Sequence, residues 1–116
     1  MDKKNINDEF HLYDLEVETI ESLKDHVCNH TVGSSFKVEG ENLIFSKNTS
    51  FSLYALSAII PLLPAKQRDT AKNDWMTTDD IIACPDPNCG GRFKITRISK
   101  RKFRHSETTA TPLNEK

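Results

Sequence analysis

The 116-residue chain is long enough to bury one hydrophobic core and too short to bury two. Hydrophobic residues make up 36% of it and charged residues 28%, which fits a globular domain. The net charge of −1 argues against a general binder of nucleic acids or membrane surfaces.

Charge is distributed unevenly along the chain. Residues 2–25 hold eight acidic residues and three lysines, whereas residues 92–104 hold seven basic residues and no acidic one. Two solvated faces that pair with each other explain this pattern, and a patch for anions or nucleic acid is the alternative. Phe93 and Phe103 are the only aromatic residues in the basic stretch, so binding of nucleic acid is not expected.

The opening segment "MDKKNINDEF" is not followed by the apolar core of a signal peptide. The longest apolar run, near residues 51–63, is shorter than the roughly 20 residues that a membrane-spanning helix needs. We therefore expect a cytoplasmic location and no membrane partner. The three cysteines are an odd number, and a reducing compartment disfavours structural disulfides.

Residues 1–9 are predicted to be flexible, residues 10–105 to form a single domain and residues 106–116 to be a disordered tail. Alternation in "LYDLEVETI" predicts a strand with Leu15, Val17 and Thr19 on one face. The stretch "SFKVEGENLIFS" predicts a hairpin with its turn at residues 40–42.

The segment "SFSLYALSAIIPLLPAK" is apolar on nearly every side and predicts the main helix. Ser50 is the predicted N-cap, and Pro61 should end or kink the helix near Ile60. A helix that is apolar all round is expected to be buried.

The last predicted strand follows a short apolar run and a stiff loop in "IIACPDPNCGGRFKITRIS". Phe93, Ile95 and Arg97 alternate with polar residues there. The predicted fold is α+β: one small domain in which four or five mostly antiparallel strands pack on one buried central helix.

Polar residues come directly after the main helix in the sequence. They are candidates for ligand binding, because loops that follow buried elements are held in place by the scaffold. Basic side chains there could instead interact with the helix C-terminus, and the single tryptophan could cover the core. The candidates are Lys66, Arg68, Asp74 and Trp75.

Two segments carry the residue types of a metal site. His26, Cys28 and His30 would share one face of an extended chain, and Cys84 and Cys89 flank the stiff loop "CPDPNC". Thiolate and imidazole are ligands for zinc foremost, with copper or iron as alternatives. The spacing also allows a plain turn with buried cysteines, or a reactive thiol or redox pair.

Asp86 stands between Pro85 and Pro87, which hold it rigidly. A rigid carboxylate suits a general base, while aspartate is equally a common turn residue. Asp86 and Cys84 are therefore the candidate catalytic residues.

Three stretches, "CNHTVGSSF", "YALSAIIPLLPAKQR" and "NDWMTTDDIIACPDPNCGGRFKITRI", together resemble a family of small proteins of unknown function in bacteria and fungi. Its members carry a cysteine, a Val-Gly-Asp-x-Phe-like turn, a central apolar helix and a Cys-Pro-Asp-Pro segment before the last strand. The resemblance covers about residues 12–99 and implies that Cys28, Cys84 and Asp86 form a functional set. Ser34 replaces the usual aspartate, so an activity that needs that carboxylate would be lost here.

Two hypotheses on function follow. The first is a small-molecule enzyme of lyase, isomerase or hydrolase type, or a ligand binder, in which Asp86 or a metal-bound water is the base. Lys66 and Arg68 would then attract an anionic small molecule. The second is a non-catalytic metal-binding or protein-interaction module. Assembly into a homo-oligomer is compatible with either.

Overall fold

The computed structural model of this chain describes residues 7–22 and 30–114. Within these ranges, five strands form one antiparallel sheet in the order β3-β2-β1-β5-β4, so the α+β prediction is confirmed. The strands are β1 (Glu9–Glu21), β2 (Ser35–Glu39), β3 (Asn42–Ile44), β4 (Ile81–Ala83) and β5 (Arg92–Arg104). The helices are α1 (Leu53–Ile59), α2 (Leu63–Lys66), α3 (Trp75–Thr78) and α4 (His105–Thr108).

The centre of the sheet is the β1–β5 pair, and its inner residues alternate as the sequence predicts. Val17 lies opposite Ile95 and Thr19 lies opposite Phe93, and all four are at most 3% exposed. Alternate side chains of a strand lie on one face, so each strand places a row of apolar groups in the core. The most buried residues of the sheet are Leu15, Val17, Thr19, Phe36, Val38, Phe93 and Ile95.

The predicted hairpin is confirmed, with a turn at residues 40 and 41 between β2 and β3. Gly40 adopts a φ of 62°, a region that glycine enters without steric cost. A Cβ atom on Gly40 would lie 3.4 Å from the ring of Phe103, so the turn packs closely on β5.

The central helical segment bends at its proline, as predicted. Helix α1 gives way to a 3₁₀ turn over Ile60–Leu62, and α2 follows. Pro61 cannot donate a backbone hydrogen bond, which disfavours a continuous α-helix.

The predicted N-cap, Ser50, is wrong. Ser52 caps α1, because its Oγ accepts the N–H of Ala55 at 3.2 Å. The intervening Phe51 packs its ring against Phe36 and Phe93, with ring centroids 5.1 and 5.5 Å away. These contacts place Phe51 at the core before the helix begins.

The helical segment buries one face only, whereas the sequence predicted burial on all sides. Ala55, Ile59 and Leu63, spaced four residues apart, lie in the core, while Leu53 and Tyr54 are 74% and 75% exposed. Residues at i and i+4 share one face of a helix, and this face packs on the sheet. Within the described ranges no second layer covers the opposite face.

Strands β1 and β5 extend together beyond the rest of the sheet. Within the described ranges, β2 pairs with β1 only over residues 15–18, and β4 pairs with β5 only over residues 92–94. Residues 9–14 and 99–104 therefore form a two-stranded ribbon, which we call the arm. The radius of gyration is 17.3 Å, compared with about 13 Å for a compact domain of roughly 100 residues.

Ion pairs join the acidic and basic segments of the chain along the arm. Arg101 Nη2 lies 2.8 Å from Asp14 Oδ2, and Arg104 Nη1 lies 3.1 Å from Asp8 Oδ1. Lys102 and Arg104 both lie within 4 Å of Glu9. The interpretation of two oppositely charged faces that pair with each other is confirmed for these residues.

The described chain continues past β5. Helix α4 occupies the position where the sequence predicts the start of a disordered tail, and Asp8 Oδ2 accepts the N–H of Ser106 at 2.9 Å. None of the helices in the described part has the length and apolarity needed to cross a bilayer.

We predict that acid loosens the arm before the core. Hydrogen bonds from Ser106 to Asp8 and from Arg101 to Asp14 hold the pKa of both carboxyls below their ordinary value of 3.8. These pairs therefore stabilise the folded state above that value, and the stabilisation is lost as the pH falls through the lowered folded pKa. Amide exchange protection in the arm should fall between about pH 5 and pH 2, while β1 amides beside Val17 stay protected. Equal loss at both places would contradict this prediction.

Candidate metal centre

Backbone hydrogen bonds close the "CPDPNC" loop. Cys84 N–H donates to the carbonyl of Gly91 at 3.0 Å, which joins the end of β4 to the start of β5. Asp86 accepts the N–H of Asn88 through Oδ1 at 2.9 Å and the N–H of Cys89 through its carbonyl at 3.3 Å. Asp86 thus builds the turn, as aspartate side chains often do.

A second segment brings His30 to this loop. Two backbone hydrogen bonds fasten the segment after His30 to β1: Gly33 N–H donates to Thr19, and Thr19 N–H donates to Ser34. The His30 ring meets the Phe93 ring edge-on, with centroids 5.1 Å apart. The imidazole is thereby positioned by the buried core rather than by solvent-exposed groups.

His30, Cys84 and Cys89 converge, and their ligand atoms all lie within 4.8 Å of one another. His30 Nε2 lies 3.4 Å from Cys84 Sγ. Zinc bonds of about 2.3 Å to sulfur and 2.0 Å to nitrogen, in tetrahedral geometry, place neighbouring ligand atoms roughly 3.5–3.8 Å apart. Cys84 is 8% exposed and Cys89 is fully buried. The group could hold a metal ion.

Gly91 allows these groups to approach one another. A Cβ atom there would lie 2.8 Å from His30 Cδ2 and 3.3 Å from Cys84 Cβ, too close for any other residue without displacement. The Gly91 N–H also donates to Cys89 Sγ at 3.3 Å.

The structure brings together three of the five predicted metal ligands. His30, Cys84 and Cys89 form the group described above. His26 and Cys28 lie outside the described residues.

The predicted ligand-binding residues do not join this group. Lys66 is tied to β5 at Arg97, whose Nε donates to the Lys66 carbonyl at 2.8 Å. Arg97 is four residues from Phe93, which corresponds to about 13 Å along a strand. Lys66 therefore lies further along the sheet than the group of His30, Cys84 and Cys89.

Lys66 and Asp74 have structural partners. Lys66 is 3% exposed, and its Nζ donates to the Met76 carbonyl at 2.6 Å. Burial, with a smaller contribution from the nearby Arg97 charge, lowers the pKa of Lys66. Asp74 caps α3 by accepting the N–H of Met76 at 2.9 Å.

Arg68 and Trp75 face outward. Arg68 Nη1 donates to the carbonyl of Pro64 at 2.7 Å, and Arg68 lines an open groove beside the arm. Trp75 is 75% exposed, so it does not cover the core in this chain.

A small polar pocket beside His30 was not anticipated from the sequence. It has a volume of about 90 Å³ and is lined mainly by hydroxyl side chains from three separate segments of the chain. Serine and threonine are too common in loops for such a group to be recognised before the fold is known. The lining residues are Thr19, His30, Thr31, Ser34, Ser50, Phe51 and Ser52.

No protein-family model, curated protein or solved structure matches this chain.

Replacing Gly91 with alanine should displace the His30 ring. The added methyl group would overlap the imidazole, and overpacking of this kind costs roughly 1–3 kcal/mol. We expect a lower melting temperature and altered NMR shifts of the His30 and Phe93 rings. Asn88→Ala, at an exposed position in the same loop, is the control and should change neither. An unchanged His30 signal in Gly91→Ala would show that the ring does not occupy this position.

Replacing Lys66 with methionine should destabilise the fold. The change keeps the length of the side chain but leaves the Met76 carbonyl without its donor, at a cost of roughly 1–3 kcal/mol. Arg68→Met, at an exposed position, should cost less than about 0.5 kcal/mol. Chemical denaturation measures both, and equal effects would contradict the structural role of Lys66.

Proposed function

We propose that this protein binds a transition-metal ion, zinc foremost, through His30, Cys84 and Cys89. In this proposal the ion has a structural role and fastens the loop of residues 84–91 to the segment that follows β1. The chain is then a non-catalytic metal-binding module, which was the second of the two hypotheses from the sequence.

The observation that carries this proposal is the burial of both sulfur atoms beside an imidazole. A buried thiol alone behaves as a small apolar group, and one such residue needs no further explanation. Two buried thiols and an imidazole within 4.8 Å are instead the donor set of a zinc site, with copper and iron as alternatives. In structural zinc sites protein side chains fill all four positions on the ion, and the burial of Cys84 and Cys89 limits the access of water to their sulfur atoms.

A fourth ligand is needed for a closed tetrahedral site, and we propose Cys28. It precedes His30 by two residues, so their Cα atoms cannot be more than about 7 Å apart. A site of three cysteines and one histidine is a common composition for structural zinc. The cytoplasmic location predicted from the sequence belongs to the same proposal, because thiolate ligands must stay reduced.

Metal analysis tests the proposal directly. Protein purified without chelator should carry about one zinc ion per chain, and a strong chelator should lower its melting temperature, because metal binding and folding are coupled. Cys84→Ser, Cys89→Ser and His30→Gln should each reduce zinc content and stability. His11→Gln, on the arm, is the matched control and should retain the metal. Wild-type protein that neither carries metal nor takes up added zinc would refute the proposal.

The Cys28→Ser variant tests the fourth position separately. If Cys28 is a ligand, this variant should bind zinc at least tenfold more weakly, a loss of about 1.4 kcal/mol. Unchanged affinity would show that Cys28 is not the fourth ligand, so that this position is held by another group, such as the predicted ligand His26, or is open as in a catalytic site.

The hydroxyl-lined pocket favours a second candidate, a metal-dependent enzyme of lyase, isomerase or hydrolase type. His30 lines this pocket as well as the metal group, so a small polar molecule there would lie next to the site. The Asp86→Asn variant separates the two candidates. It preserves the turn, because the amide oxygen of asparagine also accepts the Asn88 N–H. It removes the negative charge that a general base needs. The structural role predicts unchanged metal content and stability, whereas the catalytic role predicts at least a tenfold loss of any turnover.

The resemblance to the Cys-Pro-Asp-Pro family remains part of this proposal. It implies that Cys28, Cys84 and Asp86 act together, and Ser34, which stands at the position of the family's aspartate, lines the pocket beside His30. Ser34 Oγ donates to the carbonyl of Ser50 at 3.2 Å. A carboxylate at this position would add a charge next to the imidazole.

A further inference from the structure

The two cysteines of the "CPDPNC" loop are held near each other by the backbone. Cys84 N–H donates to the carbonyl of Gly91 at 3.0 Å, and Cys89 N–H donates to the carbonyl of Asp86 at 3.3 Å. These bonds position both ends of the loop, and the sulfur atoms of the two cysteines lie within 4.8 Å of each other. In the described part of the chain, neither cysteine belongs to a disulfide. The two thiols are therefore close together without being joined.

The distance between the two sulfur atoms can be closed by side-chain rotation. A disulfide needs a sulfur–sulfur distance of about 2.05 Å. Rotation of a cysteine side chain from one staggered rotamer to the next moves its sulfur atom by roughly 3 Å. The distance that remains between Cys84 Sγ and Cys89 Sγ is within that reach.

The two thiols differ in their surroundings, and the difference assigns an order to their reactions. Cys84 is 8% exposed, whereas Cys89 is fully buried, so an oxidant from solvent meets Cys84 first. Cys84 Sγ also lies 3.4 Å from His30 Nε2, a nitrogen that can accept the thiol proton as the sulfur reacts. Redox-sensing cysteines are often accompanied by a second cysteine that completes the disulfide, and Cys89 is placed for that role.

We propose that Cys84 and Cys89 are a peroxide-sensitive thiol pair that closes to a disulfide and thereby releases the metal ion. The release of metal rests on the proposed function, whereas the disulfide depends only on the two thiols. The disulfide removes two of the three described ligand atoms from the ion. Such a switch fits a reducing compartment, where protein disulfides are usually transient and often sense the redox state.

The oxidant is a hydroperoxide, of which hydrogen peroxide is the simplest. Cys84 Sγ bonds to one peroxide oxygen, the O–O bond breaks, and the other oxygen leaves with the thiol proton as water. Cys89 Sγ then displaces the oxygen of this sulfenic acid, which takes up the Cys89 thiol proton and leaves as a second water. The two thiols lose two electrons in total, and one molecule of hydrogen peroxide is reduced to two of water.

Disulfide mapping of the wild type tests the proposal. Metal-free and zinc-loaded samples are treated with hydrogen peroxide, denatured, alkylated and analysed by mass spectrometry. Two of the three cysteines should be lost as thiols, linked between Cys84 and Cys89, and recovered with dithiothreitol. The zinc-loaded sample should release about one ion per chain as the link forms. Asn88→Ala, at an exposed position of the same loop, is the matched control and should behave as the wild type does.

Two variants test the order of the reaction. Cys89→Ser removes the second sulfur, so Cys84 should stop at the sulfenic acid, which dimedone traps as an adduct. Cys84→Ser should give neither a disulfide at Cys89 nor a trapped adduct. The mapping of the wild type does not depend on either variant, so a folding defect in one of them leaves the main test intact.

Four results on the wild type would overturn the proposal. They are a link that includes Cys28, a sulfinic acid on Cys84 without any link, thiols that all survive peroxide in the metal-free protein, and a link that forms while zinc stays bound. Failure of the metal site gives a different result. Protein that forms the link but never takes up zinc would refute the metal site and leave the thiol pair, whereas protein that binds zinc and never forms the link would refute the thiol pair alone.

Discussion

The pairing of β1 with β5 is the constraint on which the remaining structure depends. These two strands come from opposite ends of the described chain and pair from Glu9 with Arg104 to Glu21 with Arg92. The other strands of the described ranges build outward from this pair: β2 adds to β1, β3 adds to β2, and β4 adds to β5. One end of the pair carries the candidate metal group of His30, Cys84 and Cys89, and the other end carries the arm. This single long-range pairing therefore determines where the candidate metal group and the arm lie.

The metal group depends on this arrangement for its position. Gly91 directly precedes β5, and Cys84 directly follows β4, so the pairing of β4 with β5 brings the ends of the "CPDPNC" loop together. The segment with His30 follows β1 and is fastened to it through Thr19. Because β1 and β5 are neighbours, the two segments meet beside Phe93. The convergence is a consequence of strand order and not of proximity in the sequence.

Local patterns in the sequence were sufficient to predict the inner parts of β1 and β5, the hairpin and the end of the helix near Pro61, because each depends on a period of two or on the chemistry of one residue. Strand β4 and the outer half of β5 were not predicted as strands. The exposure of Leu53 and Tyr54 could not be predicted, since it depends on how many layers the chain builds. The residue types of a candidate metal site at Cys84, Cys89 and His30 were recognised from the sequence. Their separation from Lys66 was not, because register along β5 places Arg97 and Phe93 about 13 Å apart.

The contact between His30 and Cys84 has a consequence for the unfolded chain as well as for the folded one. These residues are 54 positions apart, and β2, β3 and the helical segment lie between them. A metal ion held by both would act as a cross-link that closes this long loop. For a covalent cross-link, closing a loop of such length reduces the entropy of the unfolded state by an amount worth on the order of 4 kcal/mol. About half of the buried hydrophobic residues would then belong to one ring of the chain, and the helical segment could not leave the sheet freely while the ring stayed closed.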